Sequence, residues 1–288
     1  MSELLDLFDH PPLHEPVMIV GLPGWIDAGS AAATAIQTLL DGHDHELIAT
    51  FDTDALLDFR ARRPVMSLVD GVIDELTWPS IDMRAIVDHA GNHVIVLSGA
   101  EPDHAWGAFC GTVVDTALDL GVRMVVGLGA YPAPVPHTRE TKLSGTSPSA
   151  DHVAGLIGME LGTIEVPAGV QTAIEVAAVE SGIPAIGLWA QVPHYISGMP
   201  YPAAALSLIE SLNRSAGLSL GTGELLEQSA TTRRQLDELV EANEQHRRMI
   251  NQLEELYDTT PPDTTLGPLP TGDELAAELQ AFLRDQDD

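Results

Sequence analysis

One short passage limits the fold more than any other. The apolar run Val17-Met18-Ile19-Val20 leads into Gly21-Leu22-Pro23-Gly24-Trp25-Ile26-Asp27-Ala28-Gly29-Ser30, and the small residues Ala31-Ala32-Ala33-Thr34-Ala35-Ile36 follow. That order predicts a buried strand, a glycine turn and a helix start, which is how an α/β domain opens. Later apolar runs end in similar polar or glycine-containing turns, so several strands are expected to deliver their loops to one crevice.

The remaining pattern fits that start. Strands are expected at Glu46–Phe51, Val65–Val69, Val94–Ser98, Met124–Leu128 and Ala185–Ala190, with helices at Ala31–Leu40, Ala105–Leu120, Ser149–Ile157, Gly169–Ser181 and Pro202–Ser215. Continuous apolar strands alternating with helices predict an α/β fold with a mostly parallel central sheet flanked by helices. Gly121 and Gly182 suit left-handed helix ends, Thr146 or Ser149 a helix N-cap, and Pro202 a first helical turn. Residues 1–216 read as this domain and residues 217–288 as a helical extension. Across 223–257 the positions Leu225, Ser229, Thr232, Leu236, Leu239, Asn243, His246, Ile250, Leu253 and Tyr257 recur in alternating steps of four and three, a stripe that is polar in its middle. A short amphipathic helix, Asp273–Arg284, would close a C-terminal helical hairpin, docked on its own domain or free to meet a partner.

Composition removes several function classes. With 43 acidic against 13 basic residues the formal charge is −30, and Lys142 is the only lysine. Such a surface repels nucleic acid and anionic lipid, which bind through clustered Lys and Arg. The single Cys110 rules out a disulfide framework within the chain. No apolar run nears the roughly 20 residues that span a bilayer. Met1–His10 has acids and no basic segment, so no signal peptide is expected and the chain reads as soluble and cytoplasmic.

Chemistry is expected on four loops after strands. They carry Trp25 and Asp27; Glu101 and His104; Tyr131, His137 and Arg139; and His194, Tyr195 and Tyr201. The glycine spacing matches neither a dinucleotide fingerprint nor a P-loop. Three histidines with Glu101 and Asp27 could hold zinc, but no pair has i, i+4 spacing or an HExxH signature, so neither metal nor cofactor is expected. No G-x-S-x-G nucleophile occurs either. Arg139 suits an anion or a salt bridge to a nearby acid; Trp25 suits a crevice plug or a subunit contact. The loop Tyr131-Pro132-Ala133-Pro134-Val135-Pro136-His137 is stiffened by three prolines, so ordering it at an interface costs little entropy.

Gly24-Trp25-Ile26-Asp27-Ala28-Gly29, Pro136-His137-Thr138-Arg139, Val192-Pro193-His194-Tyr195 and Pro200-Tyr201-Pro202 resemble the PAC2, or proteasome assembly chaperone 2, family, in its actinobacterial-type branch. The resemblance covers about residues 14–216 and extends to the helical tail. It implies a phosphorylase/hydrolase-like α/β fold and a homo-oligomer, a trimer in the bacterial branch. It also implies proteasome subunits as partners, as for eukaryotic members that assemble the α-ring without ATP. The hydrophobic-Tyr-X ending of some archaeal members is absent from Arg284-Asp285-Gln286-Asp287-Asp288, so docking by the tail is not expected. The expected function is a non-enzymatic chaperone or interaction protein. Against it stand a small-molecule enzyme for a nucleoside or carboxylate, working in a phosphorylase-like crevice, and a scaffold that only oligomerises.

Overall fold

The computed structural model describes residues 4–24, 26–154, 163 and 165–259. Its centre is an eight-stranded sheet of β1 (Leu5–Leu7), β2 (Val17–Gly21), β3 (His45–Phe51), β6 (Ile81–Val87), β7 (His93–Gly99), β8 (Met124–Ala133), β9 (Leu143–Thr146) and β10 (Ala185–Pro193). The spatial order is β1-β3-β6-β7-β2-β8-β10-β9. The four middle strands, β7, β2, β8 and β10, are parallel. Antiparallel neighbours flank them on both sides. β2 is buried on both faces, as an apolar run without alternation requires. Its alternate side chains feed two cores. Val17 and Ile19 face one that includes α1 (Ala31–Asp41) and α6 (Pro202–Ala216); Met18 and Val20 face the other, with α3 (Trp106–Asp119) and α5 (Val170–Glu180). Burying each such aliphatic side chain is worth about 1.5–3 kcal/mol.

Helix ends follow local chemistry. Gly121 and Gly182 take positive φ after α3 and α5, and Pro202 opens α6. Asp52 accepts the amides of Asp54 and Ala55 to cap the short α2 (Thr53–Leu56). Thr146 ends β9 instead of capping a helix, and Ser149 precedes α4 (Ala150–Ala154), beyond which the expected helix leaves the described residues.

Three expectations are corrected. Val65–Val69 forms β4, but not in the main sheet: among the described residues it pairs only with β5 (Val72–Thr77) as a separate hairpin. Its two-residue turn, Asp70-Gly71, has φ of 50° and 83°, the paired left-handed geometry of a tight hairpin. Every residue of both strands is exposed. Next, β6 passes unread in the sequence because Asp82 and Arg84 interrupt its apolar pattern. Asp82 is buried at the sheet with Thr50, Ser80 and Arg84 as partners. Finally, the long charged helix is two: α7 (Leu225–Glu241) and α8 (Glu244–Thr259). Asn243 makes the break by accepting the amides of Gln245 and His246, so a residue of the heptad stripe is the cap of a second helix. Leu225 and Leu236 of α7 join the α1–α6 core. The second arm of the expected hairpin, Asp273–Arg284, lies outside the described residues.

Candidate functional site

Because β7, β2, β8 and β10 run the same way, the loops after them share one edge of the sheet. After β2, Asp27 folds back onto α1: Oδ1 accepts the amide of Ala32 at 2.9 Å and Oδ2 that of Ala33 at 3.0 Å. Burial raises the pKa of its carboxyl above the ordinary range, against the lowering effect of these amides. The same turn is tied to the loop after β10. Gly29 donates its amide to the Ser197 carbonyl at 2.7 Å and accepts that of Tyr201 at 2.9 Å. Gly29 has φ +63°, and a Cβ there would press on Tyr201. Trp25 lies outside the described residues.

The densest contact centre joins the loops after β8 and β10 to the C-terminal helices. His137 is 2% exposed. Its amide donates to Tyr195 Oη at 2.8 Å, and the same hydroxyl lies 2.7 Å from His137 Nδ1. Nε2 faces Asp237 Oδ1 of α7 at 3.3 Å. A proton on Nε2 avoids setting a lone pair against the carboxylate, so Tyr195 donates to Nδ1. Burial lowers the His137 pKa despite Asp237, and burial raises that of Tyr195. Both groups are thereby kept in their neutral forms. Thr138 donates to Glu254 of α8. Arg139 forks onto Asp258 through Nε (2.9 Å) and Nη2 (2.7 Å), with Nη1 on Glu254 at 2.8 Å. Tyr257 donates to the Glu140 carbonyl, and Lys142 sits 4.3 Å over the Tyr257 ring. Arg139 thus holds acids of its own chain. Tyr201 is buried in the α1–α6 core, and burial raises its pKa.

The other candidates make contacts of their own. Buried Glu101 accepts the Val170 amide at 2.7 Å and lies against Gly24, where any Cβ would overlap its carboxylate. It joins the β2 and β7 loops to the start of α5. His104 is exposed, its backbone bonded to Leu56 beyond the sheet edge. Tyr131 Oη meets Ser144 Oγ at 2.7 Å. His194 stacks edge-on against Tyr195, and its Nδ1 is buried with no hydrogen-bond partner among the described residues.

The sequence of residues 21–240 matches the PAC2 family. The chain belongs to that family. A solved protein of unknown function from Corynebacterium glutamicum is 33% identical, with a TM-score of 0.85 over 89% of this chain and 97% of that one. A proteasome-assembly chaperone homologue of Mycobacterium tuberculosis is 31% identical, with a TM-score of 0.75 over 81% of this chain and 99% of its own. An archaeal homolog of proteasome-assembly chaperone from Pyrococcus furiosus shares the fold at 20% identity and a TM-score of 0.59, over 89% of this chain and 99% of that one. No curated protein matches the chain.

This PAC2 chain holds a second polar group that no motif marks. Glu175 is 1% exposed, inside the layer between α5 and the sheet. Gly127 and Gly187 are cross-strand partners on β8 and β10, and a Cβ on either would strike its carboxyl. Gln171 donates to it at 3.1 Å, and Thr146 also binds it; Thr146 in turn accepts Trp189 Nε1 at 3.0 Å. Burial pushes the Glu175 pKa up to about 7. The available signal is Gln171-x-x-x-Glu175: two polar residues on the apolar stripe of a helix, facing glycines in strands. No helix among the described residues is long and apolar enough to cross a membrane.

Proposed function

We propose that this PAC2 protein is a chaperone-type interaction protein that acts on proteasome-related subunits in the cytoplasm, as a self-associated trimer. Residues 217–288 serve as an extension, of which α7 and α8 brace the docking edge. One observation carries the reading: His137, Thr138, Arg139 and Tyr195 are bonded to their own chain and not poised around a reacting atom. Their bonds hold the loops after β8 and β10 rigid against α7 and α8, which suits support of an edge that meets a folded partner better than turnover of a small molecule. The likeness to a proteasome-assembly chaperone homologue supports the choice of partner. Asp27, Glu101, His104, Tyr131, His194 and Tyr201 belong to the same proposal as residues that shape or line the edge, and Trp25 as a contact.

The test is capture from native lysate followed by mass spectrometry. Proteasome 20S subunits are expected with the wild-type chain and are expected to be lost with Trp25→Ala. Recovery of this chain alone overturns the partner assignment.

A second reading, a small-molecule enzyme, has one observation in its favour: a buried carboxyl that titrates near neutrality beside the hydroxyl of Thr146. Thermal-shift screening with nucleosides, phosphate and carboxylates decides it, since a ligand at 100 times its Kd adds about 2.7 kcal/mol.

A further inference from the structure

The β4–β5 hairpin is an unusual use of apolar sequence. Val65, Leu68, Val69, Val72 and Ile73 are 55–71% exposed, and Met66, Leu76 and Trp78 are 47–53% exposed. Cross-strand partners Leu68↔Ile73 and Val69↔Val72 are neighbours in the ladder, so they point to opposite faces and both faces are apolar. Among the described residues each strand pairs only with the other, which leaves both outer edges open there. A lone two-stranded hairpin is marginal in water, and fixing each residue's backbone costs about 1–2 kcal/mol. Contiguous apolar surface of this extent marks an interaction site.

We propose that this hairpin is an arm through which one copy of the chain packs against a second copy. The inference rests on the self-association proposed above and names the surface that produces it. Three observations select the occupant. The eight side chains expose roughly 800 Å², the share each partner gives to a stable interface of standard size. The arm is mainly aliphatic, as in the core-like contacts of permanent homomers, and not rich in the Tyr and Arg of transient docking surfaces. The chain also carries complementary charge at the hairpin's base. A mainly polar groove of about 460 Å³ beside the hairpin's base is lined by Asp6, Thr50, Asp52, Thr53 and Asp54 together with apolar groups that include Phe59 and Trp78. Arg60 and Arg63 stand exposed at the foot of the arm. Arginines at the foot of one copy meeting the acids of the next copy's groove would offset the repulsion between two chains of formal charge −30.

Sedimentation velocity of the full chain at micromolar concentration tests this. The wild type is expected as an assembly. Leu68→Asp/Ile73→Asp is expected as a monomer, with unchanged far-UV circular dichroism and an otherwise intact fold, because the hairpin lies outside both cores. Should that variant unfold, replacement of residues 65–77 by a short Gly-Ser linker is read the same way. A monomeric wild type overturns both self-association and the arm. A wild-type assembly that survives either folded hairpin change overturns the arm alone.

Discussion

The His137–Arg139 loop and the β4–β5 hairpin invert each other. The loop is polar and could be taken for a binding site, yet its side chains are spent on α7, α8 and Tyr195. The hairpin is apolar and could be taken for core, yet solvent reaches every residue of it. Residue type therefore points the wrong way in both places. What separates them is partnership: a polar group with its bonds made inside the chain is structural, whereas an apolar strand with nothing against it awaits a contact.

If that division holds, each region should govern one readout and spare the other. The largest effect is expected from His137→Ala. It empties a buried site and strands the Tyr195 hydroxyl, so unfolding in urea should show a loss of about 3–4 kcal/mol. Amide exchange across residues 225–259 should quicken, while the sedimenting species of the folded protein stays the same. A change of assembly without a change of stability would reverse the roles given to loop and hairpin.

Glu175→Gln follows, with the opposite sign. The folded chain binds this proton at about 7, against 4.5 for an ordinary glutamate. Its stabilising contribution is therefore complete below 4.5 and disappears as the pH rises through 7. Above that point the ionised form is a burden that the amide lacks, so the variant should gain up to about 3 kcal/mol near pH 8. The two proteins should converge towards pH 5 in calorimetry. The same variant exposes the titration of His137. Its depressed pKa makes its contribution present above 6.5 and lost as the pH falls. Without Glu175, stability should decline on acidification below 6.5.

Arg139→Ala should do least. Its pairs are near the surface, where solvent screens them. Melting should barely move. Faster amide exchange in α8 and a weaker dependence of that exchange on salt would report the loosened contact. A large fall in melting temperature would show the latch to be part of the core.

The parallel centre of the sheet was readable because β2, β7, β8 and β10 are continuous apolar runs that end in turns. The flanking strands were harder. β6 alternates Ile, Asp, Met and Arg, and burying Asp82 and Arg84 needs tertiary partners that no local window contains. The hairpin was half readable: Val65–Val69 is visible as a strand, but treating it as a sheet member hides the Asp70-Gly71 turn that follows. At the edge, the sequence picks out His137, Arg139 and Tyr195 but not what they serve. Their partners Asp237, Glu254 and Asp258 lie about a hundred residues downstream among many acids on helices. Glu175 was hidden for the same reason, since its surroundings are glycines on two separate strands.

Gly127 and Gly187 form an evolutionary lock with Gln171, Glu175 and Thr146. A methyl group at Gly127 would strike the Gln171 amide as well as the carboxyl, and one at Gly187 would strike the Thr146 hydroxyl and the Trp189 ring nitrogen before it reached the carboxyl, so shortening residue 175 alone makes room for neither. In a saturation library, alanine at Gly127 should survive selection chiefly where residues 171 and 175 have both been shortened, and alanine at Gly187 chiefly where residue 146 has been as well, so these positions should change together.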